Sequence, residues 1–285
     1  MCGIFAYVGK KEALPLLLEG LTSLEYRGYD SAGVFVPGAG FSKSSGAVEN
    51  LIKKLEGEKL PGTSGIAHLR WATHGEPTER NAHPHVSCDG QVALVHNGII
   101  ENHKELREKL ERAGHRFSSD TDTETLPHLI EEMMKARPSS FEEAVLRALG
   151  EVRGTYGLAI SYAKEPGKII AARMGAPIVL GVGEGERFVA SDASPILSHT
   201  KNVVYLGDGQ IAVLEAHRHA VKTFAGEAIE LPIDTIAWDA AEIQKGGYEH
   251  FMMKEIMEQP NVLRDALRGR LDAEKGIVVL SELDA

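Results

Sequence analysis

The chain has 285 residues, 43% of them hydrophobic and 25% charged, and a formal net charge of −10. That length and hydrophobic content allow one large globular domain or two smaller ones. The acidic balance, without a basic patch, argues against nucleic-acid binding, and no apolar run of about 20 residues is present that could span a bilayer. Two cysteines do not make a disulfide framework and no secretory signal pattern is recognised, so we expect a cytoplasmic protein.

The first half of the sequence mixes short strands with amphipathic helices. A buried strand is predicted at residues 3–9, and apolar residues at three-and-four spacing predict a helix over 13–25. Further strands are expected at 32–36, 65–69 and 91–96, and further helices at 48–55, 102–112, 123–135 and 141–152.

The second half is nearly all β up to residue 231. Eight short runs between 156 and 231 are separated by Gly, Pro, Asp or Asn, which predicts consecutive antiparallel strands. We therefore expect an α+β fold whose domain ends near Trp238. Residues 240–285 are predicted to be a linker, with a charged helical stretch over 249–270 that Pro260 divides in two and a strand at 276–280 that has no sheet to join.

Cys2 follows the initiator methionine, so the loss of one residue would place a thiol and a free α-amino group on the same residue. A thiolate is the nucleophile, and an ordinary cysteine with a pKa of about 8.5 is mostly protonated at neutral pH. An N-terminal amine, with a pKa of about 8, can accept the thiol proton and later return it. Cys2 is thus a candidate nucleophile; the plain alternative is a chance residue at a translation start.

Two polar segments follow early strands. In the segment 26–33, Gly28 and Gly33 are interpreted as serving a structural turn. Arg70 begins the segment 70–75, at the end of a predicted strand. An arginine there can hold a carboxylate through two parallel hydrogen bonds, as the binding of a free amino acid requires, or can form a surface ion pair.

Asn97 and Gly98 lie where a strand is predicted to end. An asparagine amide beside a glycine N–H supplies two donors, as an oxyanion hole requires, but Asn-Gly is also a common turn pair, and spacing alone favours the turn. In the segment 118–124, Thr121 and Glu124 have the spacing of a capping box. Asp122 is left over and is a candidate partner for an ammonium group; a calcium loop is the rival, but Thr125 stands where such a loop needs glycine.

Metal and phosphate sites are not favoured. His68, His74, His83 and His85 match no standard zinc spacing, and no second cysteine lies near them, so we predict no metal and no cofactor. The glycine-rich segment 181–185 lies between two short strands and is expected to be a hairpin rather than a phosphate loop.

Taken together, these segments resemble the glutaminase domain of the glucosamine-6-phosphate synthases, the isomerising glutamine–fructose-6-phosphate aminotransferases, which are class II glutamine amidotransferases. The resemblance covers essentially the whole chain, and the tyrosines at 26 and 29 favour this family over the amidophosphoribosyltransferases and asparagine synthetases. The motifs that carry it are Cys2-Gly3-Ile4, Leu24-Glu25-Tyr26-Arg27-Gly28-Tyr29-Asp30-Ser31-Ala32-Gly33, Arg70-Trp71-Ala72-Thr73-His74-Gly75, His96-Asn97-Gly98-Ile99-Ile100-Glu101-Asn102 and Thr121-Asp122-Thr123-Glu124.

The resemblance implies an N-terminal nucleophile hydrolase fold, a four-layer αββα sandwich of two antiparallel sheets, over residues 2–239. It implies that Cys2 attacks the side-chain amide of L-glutamine, with Asn97 and Gly98 as the oxyanion hole. Arg70 would bind the substrate carboxylate and Asp122 its ammonium. Three further pocket residues are implied, with the first in a mobile covering loop: Trp71, Thr73 and His74.

The resemblance also implies partners for the rest of a larger enzyme. Residues 240–285 would lead to sugar-isomerase domains, which we expect to be missing here, where fructose 6-phosphate accepts the ammonia and becomes glucosamine 6-phosphate. A homodimer is expected for the full-length enzyme. The alternative is a catalytically silent glutamine-sensing module, and a third interpretation, the amide-donor half of a purine-pathway transferase, is disfavoured by the tyrosine-flanked motif.

Overall fold

Two antiparallel sheets form the centre of the larger of two structural units, which span residues 1–237 and 238–285. The computed structural model describes residues 2–71, 76–137, 139–237, 248, 250–267, 271–272 and 277–278. The helices are α1 Ala13–Ser23, α2 Val48–Lys54, α3 His103–Arg112, α4 Thr125–Ala136, α5 Phe141–Glu151 and α6 Phe251–Leu267. The strands are β1 Gly3–Val8, β2 Ser31–Val36, β3 Gly40–Ser45, β4 Ser64–Arg70, β5 His85–Val86, β6 Val92–Ile100, β7 Gly154–Tyr162, β8 Ile169–Met174, β9 Val179–Gly183, β10 Glu186–Ala190, β11 Asn202–Tyr205, β12 Gln210–Glu215, β13 Arg218–Thr223, β14 Ala228–Ile229, β15 Asp234–Thr235, β16 Leu271–Asp272 and β17 Ile277–Val278.

Strand order explains how the sheets are built. Within the described residues, one sheet runs β15-β11-β9-β10-β1-β4-β2-β3 and the other runs β14-β13-β12-β8-β7-β6-β5. Every strand pair in them is antiparallel. The strand β1 lies in the interior of the first sheet, with β10 on one side and β4 on the other. Both of its edges are therefore hydrogen-bonded to a neighbouring strand.

The two-residue period of the strands divides the core into layers. On β1, Ile4 and Ala6 belong to a cluster shared with Ala93 and Val95 of β6, so these faces meet between the sheets. The opposite face of β6 carries Val92 and Leu94, which pack in a second cluster with residues of α3, α4 and α5. Phe5, on the other face of β1, packs against α1, where a Cβ on Gly20 would lie 2.3 Å from its ring. The predicted four-layer αββα sandwich is confirmed.

Several local predictions were wrong or incomplete. The sequence did not predict β3, β5 or β15, because two of these have only two residues and β3 is rich in serine, so none shows a clear apolar alternation. In the second unit, Pro260 does not divide the helix: α6 continues through it from Phe251 to Leu267. The strand expected at 276–280 is observed as β17 and does have a partner, β16.

Two turn predictions can be compared directly. The glycine-rich segment 181–185 is a hairpin as expected, with Gly183 of β9 paired to Glu186 of β10. A capping box is present at Ser140 and Glu143, at the start of α5, rather than at Thr121 and Glu124. Among the described residues, none of the helices combines the length and the apolar character needed to cross a bilayer.

Candidate active site

Cys2 lies immediately before β1, and the pairing of β1 with β4 fixes its neighbours. Gly3 is opposite Leu69, so the thiol reaches the end of β4 where the chain leaves the sheet. The backbone N–H of Trp71 donates to Cys2 Sγ at 3.2 Å, and Sγ lies 3.5 Å from the Trp71 carbonyl oxygen. The nucleophile predicted from the sequence is therefore held by backbone groups at a sheet end.

Burial raises the pKa of the Cys2 thiol above its ordinary value, although the hydrogen bond from Trp71 and the positive charges of Arg70 and Arg27 oppose this. The thiol is therefore protonated at neutral pH, and a base must take its proton before it can attack. Among the residues that the structure describes, no carboxylate or imidazole is hydrogen-bonded to this sulfur. The sequence already indicated that this thiol needs a base close by. Its raised pKa in the folded protein strengthens that requirement.

Asn97 and Gly98 are not in a turn, as their spacing favoured, but inside β6. Asn97 pairs with Gly157 and Gly98 with Tyr156 of β7. Gly98 has a φ of +133°, and a Cβ added there would lie 2.0 Å from the Thr155 carbonyl oxygen. The neighbouring strand approaches so closely that only glycine fits, which explains why an Asn-Gly pair occurs without a turn.

The side-chain amide of Asn97 faces Cys2 in a defined orientation. Its Nδ2 donates to the Cys2 carbonyl oxygen at 3.1 Å, and its Oδ1 lies 3.0 Å from His68 Nε2. The same His68 nitrogen lies 3.1 Å from the carbonyl oxygen of His96. Because both neighbours are acceptors, His68 Nε2 carries a hydrogen, and it fixes the Asn97 amide with its NH2 group toward Cys2.

Sequence reasoning considered His68 only as a metal ligand and missed this positioning role. The available signal was its place on β4: His68 is two residues from Ile66, which packs between the sheets, so the two side chains share the inward face of the strand. A polar side chain at such a position needs a hydrogen-bond partner inside the protein. Here that partner is Asn97.

Arg70 and Asp122 line a small cavity together with Cys2. Both side chains are buried, and Arg70 Nη1 donates to the carbonyl oxygen of Glu76 at 3.2 Å. Asp122 Oδ2 accepts the backbone N–H of Ile100 at 2.7 Å. Burial lowers the pKa of Arg70, and the charges of Cys2, Asp122 and Asp30 oppose that effect. The site thus pairs a buried positive group with a buried negative group.

Two cavities meet at Cys2. The larger has a volume of about 480 Å³, within the range of small-molecule sites, and its lining includes Cys2, Trp71, Asn97 and Gly98. The smaller, of about 30 Å³, shares three of these residues and adds Arg70 and Asp122. The larger cavity is also lined by residues that the sequence did not single out: Ile99, Thr155, Ala176 and Pro177.

Trp71 covers part of this region. Its side chain is 44% exposed and makes an edge contact with the ring of Tyr29, with 5.8 Å between ring centroids. Thr73 and His74, also predicted to line the pocket, lie outside the described residues. Six of the eight predicted site residues are therefore described, and all six line at least one of the two cavities.

The loop that carries Asp122 is organised by Glu124, but not through the predicted capping box. The Glu124 carboxylate accepts the backbone N–H groups of Ser118 at 2.7 Å and Ser119 at 2.6 Å. Thr121 Oγ1 instead contacts His85 Nε2 at 3.1 Å. Burial opposes ionisation of Glu124, yet hydrogen bonds from His128 and from these serines hold its pKa well below the ordinary value. The spacing of a capping box was therefore misleading, because the side chains of Thr121 and Glu124 make other hydrogen bonds before the helix begins.

Buried histidines behind the site predict a strong dependence of stability on pH. Burial lowers the pKa of His68 from 6.5 to about 3, and the pKa values of His83, His85 and His96 are also lowered by burial. Between about pH 6.5 and pH 3 the unfolded chain binds a proton at position 68 that the folded chain does not, so stability is full above that window and is lost as pH falls through it. We expect His68 alone to lower the free energy of unfolding by roughly 3 kcal/mol between pH 7 and pH 4.

Urea unfolding of the wild type and of a His68→Gln variant at pH 7 and pH 4 measures this effect. Glutamine keeps a donor for Asn97 but does not titrate, so the variant should lose less stability on acidification. Equal losses in the two proteins would show that His68 is not the titrating group.

Comparisons with known proteins agree with this geometry. Residues 68–199 match the family model of a glutamine amidotransferase domain. A glutamine–fructose-6-phosphate aminotransferase (isomerizing) of Chlorobaculum tepidum is 49% identical over 98% of this chain, and one of Thermococcus kodakarensis is 47% identical over 97%. The matches span 47% and 46% of those relatives, so the chain spans about half the length of the curated relatives it matches.

Solved structures show the same fold. A glutamine phosphoribosylpyrophosphate amidotransferase from B. subtilis, complexed with ADP and GMP, has a TM-score of 0.66 and 26% identity, over 78% of this chain and 49% of its own. A glutamine aminotransferase class-II domain protein from Silicibacter pomeroyi has a TM-score of 0.52 and 18% identity, over 78% of this chain and 99% of its own.

Proposed function

Because this chain belongs to the glutamine amidotransferase family, we propose that it hydrolyses the side-chain amide of L-glutamine, with Cys2 as the nucleophile. The observation that carries the proposal is the convergence of the Cys2 thiol, the Asn97 amide and the Arg70–Asp122 pair on two adjoining cavities. A nucleophile, a donor for developing negative charge and a pair of opposite charges are what an amide-hydrolysing site for a free amino acid needs.

Binding follows from the two charges. Arg70 offers a positive group to the α-carboxylate of glutamine, and Asp122 offers a negative group to its α-ammonium. Both are buried, so each is worth more to a charged ligand than an exposed group would be. Trp71 is positioned to cover the bound amino acid, and Thr73 and His74 are proposed as further pocket residues. The amide end of the substrate then points to Cys2.

Catalysis begins when Met1 is removed and the α-amino group of Cys2 becomes free. This amine takes the thiol proton, and the sulfur attacks the δ-carbon of the glutamine amide. The resulting oxyanion accepts hydrogen bonds from Asn97 Nδ2 and from the Gly98 N–H. When the C–N bond breaks, the α-ammonium returns its proton to the leaving nitrogen, and ammonia departs. Water then attacks the thioester, which releases glutamate and restores the thiol.

The fate of the ammonia is proposed from the relatives' names. We propose that the chain supplies ammonia to fructose 6-phosphate in a glutamine–fructose-6-phosphate aminotransferase, as the glutamine-hydrolysing half of a homodimeric enzyme, with the sugar bound outside residues 2–239. A cytoplasmic setting is proposed because both cysteines are free thiols, and thiols stay reduced in a reducing compartment.

The experiment that tests the proposal is labelling with a glutamine analogue that carries an electrophile in place of the amide. One equivalent should react, the adduct should be found on Cys2 by peptide mass spectrometry, and excess glutamine should protect against it. Cys88, the other thiol, is the internal comparison and should remain unmodified.

The same protein preparation distinguishes an active glutaminase from the alternative, a catalytically silent glutamine-sensing module. A processed N-terminus with equimolar release of glutamate and ammonia supports catalysis, and fructose 6-phosphate should remain unaminated by this chain alone. Glutamine binding without turnover or labelling, in a chain with Cys2 at its N-terminus, would instead identify a sensor module.

A further inference from the structure

A second group of polar side chains converges outside the cavities lined by Cys2. We call Cys88, His115, His128 and Glu131 the Cys88 cluster; one donor atom from each lies within 4.8 Å of the others. Cys88 lies in the turn between β5 and β6, His115 lies in the segment after α3, and the other two lie on one face of α4 at a spacing of three residues. Three separate parts of the chain therefore meet here.

Four distances within the Cys88 cluster are close to those of a coordination shell. Cys88 Sγ lies 3.6 Å from His115 Nδ1 and 3.5 Å from His128 Nδ1. Glu131 Oε2 lies 3.5 Å from His115 Nδ1 and 3.9 Å from His128 Nδ1. Bonds of about 2.3 Å from zinc to sulfur and about 2.0–2.1 Å to nitrogen or oxygen, at tetrahedral angles, place sulfur and nitrogen about 3.6 Å apart and nitrogen and oxygen about 3.4 Å apart.

The hydrogen positions also favour a cation. His115 Nε2 lies 3.2 Å from Glu132 Oε2, and His128 Nε2 lies 3.6 Å from Glu124 Oε1. Carboxylates only accept, so His115 Nε2 carries the hydrogen and its Nδ1 directs a lone pair into the cluster. His128 Nε2 faces the Glu124 carboxylate beyond hydrogen-bond distance, and its Nδ1 faces the cluster. Histidines that ligate metals usually show this arrangement, with the second ring nitrogen on a carboxylate. The Nδ1 atoms of both histidines, a carboxylate and a sulfur thus face one another.

The sulfur and the carboxylate of the cluster both accept hydrogen bonds from backbone N–H groups. The backbone N–H of Arg116 donates to Cys88 Sγ at 3.4 Å. Glu131 Oε2 accepts the Cys88 N–H at 2.9 Å, and Glu131 Oε1 is paired with Lys135 Nζ at 2.7 Å. A thiolate and a carboxylate together balance a divalent ion. Cys88 is exposed while the other three members are buried, which gives an ion an entry path from solvent.

We propose that the Cys88 cluster is a tetrahedral site for a divalent transition metal, and that Zn²⁺ is the ion it takes. A mixed sulfur, nitrogen and oxygen set suits zinc better than calcium or magnesium. All four positions are filled by the protein, so the site is structural rather than catalytic. Its function is to join the β5–β6 turn and the segment after α3 to α4, the helix that follows the Asp122 loop. The proposal differs from the expectation from sequence that no metal is bound.

The test uses the purified full chain, stripped with a chelator and then titrated with Zn²⁺ or Co²⁺ in the absence of glutamine. We expect one zinc ion per chain and a thermal midpoint that rises until one equivalent is added. Cobalt should give the strong visible bands of tetrahedral coordination and a thiolate-to-metal charge-transfer band in the near ultraviolet. No binding, or a weak octahedral cobalt spectrum, would overturn the proposal.

Variants identify the ligands. Cys88→Ser should abolish the charge-transfer band. His128→Gln removes a proposed ligand, so it should weaken zinc binding by at least about 10- to 100-fold, which is the cost of losing a residue that only hydrogen-bonds to a ligand. Glu132→Ala, which removes the carboxylate that contacts His115 Nε2, should weaken zinc binding by an amount within that range. His217→Gln, a change at an exposed histidine, and Cys2→Ser, a change at the other thiol, should leave the spectrum and the affinity unchanged. Unchanged affinity in both Cys88→Ser and His128→Gln would refute the site, and neither result depends on glutamine hydrolysis.

Discussion

A Cys2→Ala variant is expected to lose glutamine hydrolysis by at least about 10⁴-fold, the scale seen when a covalent nucleophile is removed from a hydrolase. The substitution removes only the sulfur, which contacts the backbone of Trp71, and leaves Arg70 and Asp122 in place. Glutamine should therefore still bind. Ammonia release measures the first effect, and calorimetric titration with glutamine measures the second. A loss of glutamine hydrolysis much smaller than about 10⁴-fold would exclude Cys2 as the nucleophile.

The role of the α-amino group needs a separate variant, in which one additional residue precedes Cys2 in the processed protein. The thiol is then present but its own nitrogen is part of a peptide bond. Burial already raises the pKa of this thiol, so without its base it should be inactive. N-terminal sequencing confirms that the extra residue is retained. If hydrolysis persists at the wild-type rate, the base is another group.

The Asn97→Asp variant is expected to lose about 10²–10³-fold in kcat, with little change in KM. Aspartate keeps the shape of asparagine and can still accept the hydrogen bond from His68, so the strand should be undisturbed. It loses the NH2 group that faces Cys2 and places a negative charge where the oxyanion forms. Steady-state kinetics with glutamine separates the two parameters.

Asn202→Asp is the matched control, because it makes the same chemical change on an exposed position of β11. Its kinetics should equal those of the wild type. If Asn97→Asp raised KM while leaving kcat unchanged, Asn97 would be a substrate-binding residue and not an oxyanion donor.

Sequence motifs predicted best those site residues whose own side-chain chemistry indicates a role. Cys2, Arg70 and Asp122 were each chosen for their own chemistry, and the fold brings all three to adjoining cavities. Their roles remain predictions. Gly33 was interpreted as serving a structural turn, but it lies inside β2, where a Cβ would lie 2.1 Å from the His83 carbonyl oxygen.

The errors arose where distant parts of the chain decide the local structure. Asn97-Gly98 has the composition of a turn but is held in β6 by its pairing with β7. The Thr121–Glu124 spacing fits a capping box, yet His85 and the serines before Thr121 compete for both side chains. The Cys88 cluster was not considered from the sequence, because zinc spacings that are compact in sequence do not include residues spread from Cys88 to Glu131.

The interior position of β1 has a consequence for synthesis on the ribosome. Phe5 pairs with Ala190, and the N–H of Ser191 donates to the carbonyl oxygen of Ile4, so the strand that follows Cys2 cannot be fully enclosed until about 190 residues have been translated. At about 5–20 residues per second, this takes roughly 10–40 s. Throughout that interval the nascent N-terminus is accessible to an aminopeptidase, as the proposed removal of Met1 requires.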